Sequence, residues 1–162
     1  MITKTMQDAI NTHIQAEMYS ANLYLAMSAY CESINLKGFA RWMRIQSKEE
    51  LEHAHKLFDY LIERGGRALV GAVAQPPDEF KSPRDVFEQT LTHEKKVTSE
   101  VHDLYAKAVN EQDYATQILL QWFISEQVEE EARVSEYVEK LKMTGESSNA
   151  IFWIDKELGK RA

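Results

Sequence analysis

The sequence predicts an all-α fold, four long helices bundled side by side with a short fifth helix after them, and three observations predict it. Four segments carry apolar residues at alternating steps of three and four, the spacing that lines up side chains on one face of an α-helix. All three prolines cluster in one region, Pro76 and Pro77 in the long stretch between the second and third segments and Pro83 at the start of the third. Each apolar seam is also interrupted near its middle by a glutamate.

The first helix, α1, is expected over about 5–32, with the seam Ile10, Ile14, Glu17, Ala21, Tyr24, Ser28. It ends near Glu32-Ser33-Ile34-Asn35, and α2 follows at once over about 37–64, with Asn35 or a neighbour as its cap. The α2 seam is Met43, Gln46, Glu50, His53, Leu57, Tyr60, and Gly65-Gly66 is a left-handed stop. Helix α3, about 83–110, opens with Ser82 as cap, Pro83 in the first turn and Asp85 at the third position. Its seam is Phe87, Thr90, Glu94, Val97, Val101, Leu104. Asp113 caps α4, about 114–143, whose seam is Leu120, Phe123, Gln127, Glu130, Val134, Tyr137, Leu141. A short α5, 148–158, follows from Ile151, Phe152, Ile154 and Leu158.

Loop lengths set the topology. The α1–α2 and α3–α4 connections are only a few residues long, so each pair is antiparallel. Reflecting Glu17 through the first turn lands near Glu50, and reflecting Glu94 through the second lands at Glu130. The 65–82 crossover reaches about 60 Å when extended, at roughly 3.3 Å per residue. A helix of this length spans about 42 Å. The crossover can therefore travel the whole bundle and start α3 parallel to α2, giving one domain over 1–162. Its apolar middle, Ala68 to Ala74, leads us to expect that a second subunit covers it.

Composition narrows the function. A formal charge of −7 argues against a nucleic-acid partner and suits a protein that attracts cations. The N-terminal stretch is broken by Lys4, Asp8, His13 and Glu17, so neither a secretory signal nor a membrane span is expected there. Cys31 is the sole cysteine, which excludes an internal disulfide. The expected compartment is the cytoplasm.

Four carboxylates and an imidazole at one level of a core are untenable without cations, because a buried unpaired charge costs several kcal/mol or neutralises itself. Glu50-x-x-His53 points two ligands the same way from one helix. Two divalent ions would cancel the four charges of Glu17, Glu50, Glu94 and Glu130 with His53 neutral. An oxygen-rich set with one imidazole suits Fe(II), Mn(II) or Zn(II).

Together these residues give the chain a resemblance to the non-haem bacterial ferritins, running from Met1 to Gly159. It is carried by Glu17 and Tyr24, by Lys48-Glu49-Glu50-Leu51-Glu52-His53, by Glu94, and by Glu126-Gln127-Val128-Glu129-Glu130. The arrangement of one Glu from each of two helices and Glu-x-x-His from others is the general pattern of ferritin-like di-iron bundles. Positions 127 and 130 read Gln and Glu where a bacterioferritin-like chain would repeat Glu-x-x-His. Leu51 also stands where such a chain carries a haem-ligating methionine, so no haem is expected.

The resemblance implies a ferritin-like four-helix bundle with ferroxidase activity and iron storage. One iron would be held by Glu17, Glu50 and His53, and the other by Glu50, Glu94 and Glu130, with Glu50 bridging. The partners implied are Fe(II) and dioxygen or hydrogen peroxide, and the assembly is a homo-oligomer of 24 subunits whose fifth helices line channels. A third iron site would draw on Glu49, Glu126 and Glu129 and share Glu130. Gln127 is expected to orient a ligand by hydrogen bonding, and Tyr24 to serve as a local electron donor. On spacing alone, Tyr24 and Trp122 are packing residues, and His13, His55, His93 and His102 are surface or interface groups.

Overall fold

The computed structural model describes residues 1–145 and 147–162. Helices α1 (Lys4–Ser33), α2 (Lys37–Glu63), α3 (Pro83–Asn110), α4 (Tyr114–Thr144) and α5 (Ser148–Leu158) account for the regular structure of the described residues. Helix α1 packs mainly on α2 and α3 on α4, and α5 closes one end against α2 and α4.

Three helices end in the same way. After α1, α2 and α3 a residue takes a positive φ: Asn35 (61°), Gly65 (73°) and Gln112 (54°). In each case the next amide reaches back to a carbonyl in the last turn, Leu36 to Cys31 at 3.0 Å, Gly66 to Leu61 at 2.8 Å and Asp113 to Ala108 at 2.9 Å. This satisfies carbonyls that the helix itself leaves free. Ser82 and Asp113 cap α3 and α4 by accepting from Asp85 N and Thr116 N.

At α2 the sequence leaves Asn35 or a neighbour as cap, and the neighbour takes the position. Asn35 terminates α1, so it cannot also cap α2, and the N-cap position falls to Leu36, which has no side-chain acceptor. Asp155 of α5 fills that role: its Oδ1 accepts from Gly38 N at 2.8 Å and Phe39 N at 3.0 Å. A carboxylate there also complements the positive end of the helix dipole. The fit requires glycine, since a Cβ on Gly38 would come within 1.7 Å of the Asp155 carbonyl oxygen.

The crossover runs along the outside of α1 from one end to the other. Arg67 and Leu69 bond to Gln7 and Asn11, Gly71 abuts Gln15, and Phe80 packs edge-to-face with Tyr30. It delivers the start of α3 beside the start of α2, where Phe87 meets Phe39 and Trp42 at ring separations of 5.8 and 5.0 Å. Helix α3 is therefore parallel to α2. Leu69 and Val70, in the middle of the crossover, face outwards, Val70 with 74% of its surface exposed.

The core is split in two. One cluster gathers Tyr24, Met27, Phe39, Met43, Phe87, Val134 and Leu141, and the other gathers Ile10, Ile14, Leu57, Leu61, Val101, Leu120 and Phe123. On every long helix the gap between clusters falls at the polar seam positions: Glu17 on α1, Gln46 to His53 on α2, Glu94 on α3, and Gln127 to Glu130 on α4. A polar belt thus crosses the middle of the bundle, with apolar packing above and below it.

Candidate metal centre

Each acid of the belt occupies a position that helical periodicity assigns to the core. Glu17, Glu50, Glu94 and Glu130 are each only 1–2% exposed, and His53 and Gln127 are buried with them. Glu17, Glu50 and His53 converge: one donor atom from each lies within 4.8 Å of the others, an arrangement able to hold a metal ion. His53 Nδ1 stands 3.1 Å from Glu50 Oε2 and 4.0 Å from Glu17 Oε2. The edges of Trp122 and Phe123 fix the imidazole ring, at centroid separations of 5.4 and 5.7 Å.

The other two acids are held by amide and hydroxyl donors. Tyr24 donates its phenolic hydrogen to Glu94 Oε1, and Gln127 Nε2 donates to Glu94 Oε2 at 3.0 Å. Gln46 Nε2 reaches Glu130 Oε2 at 2.7 Å and Glu50 Oε1 at 3.2 Å, joining two acids from different helices. Among the described residues, Glu50, Glu94 and Glu130 do not converge as tightly as the first three.

Electrostatics reflect the crowding. Burial, then the charges of Glu17 and Glu94, push Glu50 well above the ordinary carboxylate range. Burial raises Glu94 to about 7 despite the Tyr24 hydrogen bond, and Glu130 is raised for the same first reason. Glu17 moves the other way: burial opposes ionisation, but the adjacent His13, then Glu50 and His53, outweigh it and hold the group low. Burial and the Glu94 charge raise the Tyr24 phenol well above its usual value, which keeps it a donor.

Two expectations need correction. His13 is no surface group: it is 5% exposed, and its Nε2 lies 3.1 Å from Glu17 Oε1. The two side chains are four residues apart on one helix, a relation the spacing could have revealed. Trp122 is not core, being 38% exposed, and it packs between His53 and the Lys56 ammonium. Of the remaining histidines, His55 and His102 are exposed, while His93 is partly buried and lies 2.7 Å from Ser20 Oγ.

Sequence reasoning placed Gln46 on the seam without assigning it a role, and it missed Arg161 and Arg133. Arg161 Nη2 donates to Glu49 at 2.7 Å, and its Nη1 donates to Gln46 Oε1 at 3.0 Å and to the Trp42 carbonyl. Arg133 lies 3.6 Å from Glu49 and 3.7 Å from Glu130. Glu49 and Glu126 line one groove with His53, whereas Glu129 is exposed. Nothing in the spacing of seam residues points to an arginine beyond α5.

A helical bundle with a carboxylate belt and a convergent Glu–Glu–His group defines a class of metal-binding four-helix proteins. Within that class the family is clear: a model of the ferritin-like domain matches residues 7–144, and the chain belongs to the ferritin family. A bacterial non-heme ferritin of Bacteroides fragilis is 46% identical over 161 residues, covering 99% of this chain and all of that one. One from Staphylococcus saprophyticus is 39% identical over 162 residues, covering 100% and 97%. Among solved structures, an open pore ferritin from the hyperthermophilic archaeon Archaeoglobus fulgidus superposes with a TM-score of 0.99 at 49% identity, covering 100% of this chain and 99% of that chain. No helix among the described residues is long and apolar enough to cross a membrane.

Proposed function

We propose that this chain is an iron-storage ferroxidase, binding Fe(II) in the belt, oxidising it and passing the ferric product to a mineral inside a hollow shell. The observation that carries the reading is the convergence of Glu17, Glu50 and His53 at the level of Glu94 and Glu130, all buried. Family membership supports it. Iron is here both substrate and cargo.

Glu17, Glu50 and His53 would hold one ferrous ion. Glu50, Glu94 and Glu130 would hold a second once Gln46 and Tyr24 release or share their hydrogen bonds. The two ions give up one electron each. Dioxygen accepts both and leaves with two protons as peroxide, or peroxide accepts both and leaves with two protons as water. The chain supplies geometry and neutralisation, exchanging the protons raised onto Glu50 and Glu94 for metal charge. Gln127 would orient Glu94 as a neutral donor and leave the second ion loosely held, ready to move on. Tyr24, hydrogen-bonded to Glu94, would be the local electron donor that the resemblance implies: where one of the two ions is absent it would give the oxidant the second electron and lose its phenolic proton to Glu94.

A third ion at Glu49, Glu126 and Glu129 would share Glu130 and would have to displace the guanidinium groups of Arg161 and Arg133 from Glu49. The exposed Leu69 and Val70 and the Phe152–Trp153 face of α5 favour burial against further copies of the chain, which we read as a 24-subunit shell. Aerobic Fe(II) loading tests the function: an iron core in a large particle is expected. Glu50→Ala should abolish the fast oxidation phase, and oxidation unchanged in that variant would refute the reading.

A further inference from the structure

Between α1 and α3 lies a groove lined by Thr12, His13, Ala16, Glu100, Asp103 and Lys107. His13 is the lining residue that touches the belt. Buried polar atoms are normally paired, yet His13 Nε2 and Glu17 Oε2 are the two buried side-chain polar atoms among the described residues that lack a hydrogen-bond partner. They belong to neighbours one helical turn apart. The 3.1 Å between His13 Nε2 and Glu17 Oε1 is out of alignment for a hydrogen bond. It is instead about the separation of two ligand atoms sharing one transition-metal ion, each roughly 2.0–2.2 Å from it.

Glu17 therefore faces two ways. Its Oε2 points to the His53 side, 4.0 Å from Nδ1, while Oε1 points to His13. Phe123 packs edge-on against both imidazoles, at centroid separations of 6.4 and 5.7 Å, which holds each ring in place. Glu100 and Asp103 put negative charge in the groove where a cation would approach, and Lys107 limits that attraction without lying in the belt.

We propose that His13 and Glu17 form a relay site for a divalent transition-metal cation, reached through the α1–α3 groove and handing its ion to Glu17, Glu50 and His53. Glu17 would change partners by using its second oxygen, with no movement of the helix. This inference rests on the metal-binding reading of the belt.

Anaerobic Co(II) soaking of crystals of the assembled protein, read by anomalous diffraction, separates the two. The expected result is density in the belt, at Glu17–Glu50–His53 and at Glu50–Glu94–Glu130, and a separate peak bonded to His13 Nε2 and Glu17 Oε1. His13→Gln should lose only the peak at His13, and Co(II) bound per chain in solution should fall by one ion. Belt peaks alone in both proteins, or a feature without anomalous signal beside His13, overturn the relay and leave the belt reading intact. No peak anywhere in the bundle overturns both.

Discussion

Arg161 and Gln46 are locked together: the guanidinium donates to the amide oxygen of Gln46, so the amide nitrogen must point at Glu50 and Glu130. A free glutamine could present either end to those acids. The arginine is itself held by Glu49, the Trp42 carbonyl and the face of the Trp42 ring, 4.3 Å from the guanidinium. Arg161 is thus a positioning residue that acts through Gln46. Arg161→Ala should lower the initial rate of Fe(II) oxidation about 10-fold, the scale of losing a group that orients a metal ligand. Arg161→Lys should not restore it, because an ammonium lacks the planar fork that reaches both partners. Stopped-flow oxidation of all three proteins checks this, and a wild-type rate in Arg161→Ala would contradict it.

The belt should make the metal-free protein less stable as pH rises. Glu94 is raised to about 7 in the fold, while an unfolded glutamate titrates near 4.5. Between those values the native state holds a proton that the unfolded chain has released, so stability falls with increasing pH and reaches its floor above about 7. Glu94→Gln removes this loss. The variant's Tm should exceed that of the parent by more at pH 7.5 than at pH 5.5, both free of metal, and a constant gap would refute the assignment.

Replacing Gln127 by Glu should tighten the proposed second iron position and slow turnover. The amide now donates to Glu94 at 3.0 Å; a carboxylate there adds a fifth acid and a metal ligand. Transfer of ferric iron to the core, followed by the decay of the centre's absorbance, should slow while the first oxidation remains fast. Unchanged transfer would rule the role out.

The docking of α5 depends on Asp155 and Gly38. Asp155→Ala leaves the first amides of α2 without their acceptor and should cost about 1 kcal/mol, the usual worth of a cap. Gly38→Ala should cost more, since the added methyl meets the α5 backbone and not a movable side chain. Thermal melts measure both. A Gly38→Ala protein as stable as the parent would show that α5 can shift without penalty.

The positions of the four acids were legible because helix periodicity is local. A seam at steps of three and four states which face is buried, and two short turns fix which residues come level. The Glu17–Glu50–His53 group follows from that arithmetic. His13 lay one turn from Glu17 on the same helix, but its burial depends on how α3 and Phe123 of α4 pack over α1, which no single helix encodes. Trp122 failed for the converse reason: its neighbour Phe123 takes the inward direction and leaves the indole at the edge.

By itself, the sequence determined the helices, their ends, the antiparallel pairs and the level of the belt, because hydrogen bonding and amphipathic spacing act over a few residues. Tertiary structure alone decided that Asp155 caps a helix 117 positions away, that Arg161 sets the orientation of Gln46, and that Glu17 turns one oxygen to each of two histidines. The first two join segments remote in the chain; the third pairs Glu17 with a neighbour one turn away and with His53 of another helix. Their geometry is fixed by the packing of whole helices.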